Sequence, residues 1–173
     1  MKSEDAKKRT SFHSKLDNSK TLADIFEVVK AAVWNNQRAS RGGLMLGIAN
    51  LGNHPQGFLG AFYPVGTNVI VMNKIPLERI KETRPELYKP YIFHILLHEY
   101  LHTLGYLDEG GVRQMVIETT RNVFGEEHLA TMIALDTNQF FKNLVYPDVT
   151  WKPDETKMEL VGGFDRESAS YFG

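Results

Sequence analysis

One stretch dictates more of the architecture than any other: YIFHILLHEYLHTLG, residues 91–105, where apolar side chains occupy nearly every face of what the spacing predicts to be one helix. A helix apolar all round belongs at the centre of a core, with other elements packed about it. Yet this one also carries His94, His98, Glu99 and His102, and burying imidazoles and a carboxylate is costly unless they are paired or bound to a metal. Gly105 is placed to end the helix. Fold and chemistry are therefore expected to meet on one element.

The rest of the chain has to cover that helix. Its 173 residues fit one domain with a sizeable core. A formal net charge of −1 implies no polyanion, so no nucleic-acid partner is expected. With no cysteine, disulfides, thiol catalysis and thiolate metal sites are excluded, and any ion must sit on histidines and carboxylates. The N-terminal stretch lacks the apolar core of a secretory signal and no segment approaches the length of a bilayer span. No membrane partner and a cytoplasmic location are the resulting expectations.

Residues 1–19 are polar, mixed in charge and without period, and read as a flexible N-terminal arm. From Thr21, Leu22, Ile25, Phe26, Val29, Ala32 and Val33 fall at helical spacing behind a Ser19 or Thr21 cap. LMLGIANL and then GFLGAFYPVGTNVIVMN read as β-rich runs, the latter two around a Pro-Val-Gly-Thr turn. Pro85 and Pro90 separate a short helical segment from the central helix. Helices are expected at about Glu109 to Phe124 and Glu126 to Leu144. The fold class is α+β: a small, mostly antiparallel sheet packed on an N-terminal helix and the central helix, with two further helices after it. The domain spans residues 20–145, and 146–173 form an irregular tail packed on it.

His98-Glu99-Tyr100-Leu101-His102 has the HExxH spacing. Residues four apart share a helix face, so both imidazoles can reach one ion. Glu99 is rotated about 100° around the helix, where a carboxylate contacts a metal-bound water rather than the metal. A tetrahedral zinc with three protein ligands leaves a position for that water. His94 extends the row by one turn, but positions eight apart lie about 12 Å apart along a helix, too far to share an ion. His94 therefore reads as a supporting or core residue. Tyr100 and Tyr106 can offer a hydroxyl to an oxyanion, although buried packing suits each better.

The stretch HEYLHTLGYLD, residues 98–108, resembles the zincin metallopeptidases, and in particular the metzincin form with aspartate as last ligand. That resemblance implies one zinc ion on His98, His102 and Asp108, Glu99 as general base, and a peptide or protein substrate. It also implies an edge strand that binds extended peptide by main-chain hydrogen bonds, and TNVIVMN is similar to the run that precedes HExxH in such proteins. Two other third ligands stay open. Asp108 also suits a helix N-cap with Glu109 as a first-turn charge. The gluzincin type would instead use a glutamate of the next helix, here Glu118, and His128 is a further possibility. Two other functions compete: a metal-dependent endoribonuclease, which a basic groove beside the metal would favour, and a non-catalytic binding module. The tail, through Asp148 or Asp154, is a candidate to occlude the cleft.

Overall fold

The computed structural model describes residues 3–52, 60–141 and 158–166. Its first helix, α1 (Glu4–Asp17), occupies the segment expected to be a loose arm. Ser3 caps it by accepting from the Ala6 amide. Phe12 and Leu16, four residues apart, form a narrow buried stripe on an otherwise charged helix. The Phe12 ring meets Phe124 edge-on at 6.2 Å, and His13 Nε2 donates to the Phe124 carbonyl at 2.8 Å. Two apolar residues suffice to dock it, too few to produce a visible period.

Helix α2 (Leu22–Gln37) starts where expected, with a reciprocal capping box between Thr21 and Asp24. Strands β1 (Met45–Ala49), β2 (Ala61–Phe62), β3 (Val69–Asn73) and β4 (Glu159–Leu160) form one sheet in the order β2-β3-β1-β4. The sheet is mixed: two of its three pairings, β2 with β3 and β1 with β4, are antiparallel, but the longest, β1 with β3, is parallel, in register from Met45 opposite Val69 to Ala49 opposite Asn73. Parallel neighbours need a crossover of a dozen or more residues, which residues 50–68 provide. Side-chain alternation reports which face is buried and carries no information on strand direction. The Pro64–Thr67 turn closes a β2–β3 hairpin.

Helix α3 (Lys74–Thr83) is capped by Asn73, and a 3₁₀ turn (Pro85–Leu87) leads into α4 (Tyr88–Thr103), the central helix, with Pro90 in its first turn. α4 packs against α2, α5 (Glu109–Phe124) and α6 (Leu129–Leu135). Tyr91, Ile92, Phe93, Leu96, Leu97, Tyr100 and Leu101 are completely inaccessible. The single helix expected over Glu126 to Leu144 is instead α6 followed by α7 (Thr137–Phe141). Asp136 breaks it, with φ −151° and its carboxylate accepting from the Gln139 amide, the local side-chain competition that makes aspartate a poor helix-interior residue.

Residues 158–166 lie along β1 and over α2. Phe164 stacks on Phe26 at 4.2 Å, and the buried Asp165 accepts from Lys30 Nζ and the Leu44 amide, each at 3.0 Å. Asp148 and Asp154, the residues considered for occlusion, lie outside the described residues. No helix among the described residues is long and apolar enough to cross a membrane.

Candidate metal centre

On α4 the rings of His98 and His102 stand one turn apart, with their Nε2 atoms 3.2 Å from each other. The chain then leaves the helix through Gly105, whose φ of +100° is open to glycine at little cost. This turn brings the Tyr106 carbonyl to 2.7 Å from His102 Nδ1. A carbonyl only accepts, so Nδ1 carries the proton and Nε2 of the neutral ring presents a lone pair. Backbone thus orients His102 as a metal-ligating imidazole is usually oriented.

Glu109 brings a carboxylate to the two imidazoles. Its Oε2 is 3.1 Å from His98 Nε2 and its Oε1 2.9 Å from His102 Nε2. Asp108, implied as ligand by the resemblance, turns the other way: its carboxylate accepts from the Gly111 amide at 2.7 Å and caps α5. Glu118 is exposed on α5, nine residues and about 14 Å of helix beyond Glu109. His128 caps α6 and stacks on Phe124 at 4.3 Å, so neither it nor Glu118 joins the cluster. A signal for Glu109 did exist in the sequence. Of two adjacent acidic residues before a helix, aspartate is the better N-cap, which leaves the longer glutamate free to reach back.

The donor atoms of His98, His102 and Glu109 all lie within 4.8 Å of one another, a set that can hold one ion. Ligands around a tetrahedral zinc with bonds of about 2.0–2.1 Å stand about 3.3 Å apart, close to the separation of the two Nε2 atoms. With the His102 ring neutral, its Nε2 and the facing carboxylate oxygen of Glu109 are both acceptors, and a cation between them would satisfy both. The donor chemistry and the spacing fit a divalent ion.

Glu99 is 7% exposed. Burial raises its pKa to about 7, opposed by His102 and reinforced by the carboxylate of Glu109. It lines a cleft of about 570 Å³ together with His98, Glu109 and Arg113. Arg113 follows Glu109 by one turn on the same face of α5, a cation that pattern reading did not single out. Gly60 and Ala61 also line the cleft. β3, the strand whose sequence is similar to the zincin run, lies inside the sheet, and among the described residues the edge beside the cleft is β2. The other candidates are structural here. The Tyr100 hydroxyl accepts from the Arg41 amide at 3.0 Å within the core, and Tyr106 contributes its carbonyl.

No family model matches this chain, and neither the curated proteins nor the solved structures compared with it include a match.

Proposed function

We propose that this protein is a zinc-dependent metallopeptidase in which His98, His102 and Glu109 hold the ion and Glu99 moves the proton. The observation that carries the reading is the convergence of two imidazoles and a carboxylate beside a second, buried carboxylate. Zinc bound there would supply a Lewis acid and lower the pKa of water. Buried beside the two imidazoles and the carboxylate of Glu109, Glu99 can take a proton from an attacking water and release it to the leaving amine nitrogen. Arg113, in the same cleft, can offset negative charge developing on the carbonyl oxygen. The edge of β2 can bind an extended peptide through its main chain, beside these groups.

Charge argues against the endoribonuclease reading. Among the described residues, the charged side chains lining the cleft are Glu99, Glu109, Asp136 and one cation, Arg113, whereas a groove for RNA backbone would be basic. The deciding experiment measures bound zinc per chain and hydrolysis of casein, for wild type, Glu99→Gln and His102→Ala. The expected pattern is zinc kept and cleavage lost in Glu99→Gln, and zinc lost in His102→Ala. A wild type that binds no zinc after reconstitution would overturn the proposal, and zinc bound without cleavage of any peptide would leave the binding-module reading in its place.

A further inference from the structure

β2 is tied at both ends to the helix that carries His98 and His102. At its start, Gly60 lies so close to α4 that a Cβ there would come within 2.8 Å of Ile95 Cδ1 and of Tyr91 Oη. Gly60, Ala61 and Ile95 line the cleft together with His98 and Glu99. At its far end, the turn that follows Phe62 is held to the last residue of α4 through Arg41. Its Nη1 donates to the Thr103 carbonyl at 2.9 Å and to Tyr63 Oη at 3.1 Å, and its Nη2 donates to the Thr67 carbonyl at 3.0 Å. The Tyr63 hydroxyl gives its own proton to that same Thr67 carbonyl at 2.7 Å, and the Arg41 amide donates to Tyr100 Oη of α4. Ile95 to Thr103 is about 12 Å of helix and Gly60 to Tyr63 about 10 Å of strand. The two therefore run side by side past the turns of His98 and His102.

We infer that Arg41 is a positioning residue: its guanidinium sets the distance of β2 from α4, and with it the register in which an extended peptide on β2 presents one bond to the ion. The inference rests on the metallopeptidase reading for its substrate. β2 needs such a brace, because its own ladder is only Ala61 opposite Met72 and Phe62 opposite Val71, and short pairings are weakly held. Two carbonyls and a phenol at three separate points suit the several donors of a planar fork, whereas an ammonium offers all its protons from one atom. Arg41 acts through β2, since it does not itself line the cleft. A peptide long enough to pair with β2 depends on that distance, and a short one held only at the ion does not.

The test uses the full chain reconstituted with zinc, as wild type, Arg41→Lys and Tyr63→Phe, each assayed on a capped octapeptide and on a capped dipeptide with the same cleaved bond. In Arg41→Lys, KM for the octapeptide should rise about tenfold or more with kcat nearly kept. Over the same comparison, bound zinc per chain and kcat/KM for the dipeptide should stay within about twofold of wild type. Tyr63→Phe leaves the bonds of Arg41 to Thr103 and Thr67 in place, so it should move the ratio of the two peptides the same way by less. Amide hydrogen exchange should quicken by about tenfold or more across β2 and its turn in Arg41→Lys, and not at Leu96 and Leu97 in the core of α4. Unchanged exchange across the hairpin would overturn the inference. So would equal losses on the two peptides, because a merely structural role lowers both alike. Failure of the peptidase reading looks different: the wild type would cleave neither peptide, while exchange at the hairpin still quickened in Arg41→Lys.

Discussion

Asp108 and Glu109 are neighbours in sequence whose carboxylates turn different ways, one to the Gly111 amide and the other to His98 and His102, and substitutions can separate them. Asp108→Ala removes an N-cap and should cost about 1 kcal/mol of stability, measured by urea denaturation, with zinc affinity little changed. Glu109→Gln leaves the cap intact and should weaken zinc binding by about tenfold to a hundredfold or more in competition with a chelator. The reverse pattern would return the third-ligand role to Asp108. At this scale the sequence was informative wherever spacing along one helix sets the geometry: His98, Glu99 and His102 come together because α4 is regular. It was ambiguous where a loop decides direction. Which carboxylate faces the histidines depends on the turn through Gly105 and on the capping bond of Asp108, and neither has a period to read.

Among the elements, α2, α4 and α5 announce themselves because each carries a wide apolar stripe and a clear stop or start, such as the Thr21 capping box or the Gly125 break. The elements that were missed or misjudged are those whose stabilising contacts are few and distant in sequence. α1 depends on buried Phe12 meeting Phe124 at the end of α5, more than a hundred residues away. The parallel β1–β3 pairing likewise depends on where the chain crosses, not on its composition. Docking of α1 can be measured directly. Phe12→Ala should destabilise the protein by about 3 kcal/mol, read as a lower urea midpoint with an unchanged slope. A midpoint that does not move would restore residues 1–19 to the status of a loose arm.

For the molecule as a whole, the central position of α4 means that helices from both ends of the sequence meet around it, and one such junction titrates. His128 caps α6 through an Nδ1 that accepts from the Ala130 amide at 3.0 Å, stacks on Phe124, and meets the ring of His13 edge-on at 4.5 Å. Burial, and then the neighbouring His13, lower its pKa from 6.5 to about 4, against a weaker pull from Asp17. Between those two values the unfolded chain holds a proton on this residue that the folded chain does not. Its contribution to stability is therefore complete above about pH 6.5 and is lost as the pH falls toward 4. Protonation at Nδ1 would set a donor against the Ala130 amide and free the first turn of α6, loosening the junction of α1, α5 and α6 together. His128→Asn tests this, because asparagine can cap the helix without titrating. Near pH 7.5 the variant should be modestly less stable, by about 1 kcal/mol for the lost stacking. Between pH 6.5 and 4 its stability should fall less steeply than that of the wild type, by up to one bound proton. Urea denaturation at half-unit pH steps reads both effects, and parallel curves through that window would show that the acid sensitivity of the fold lies elsewhere.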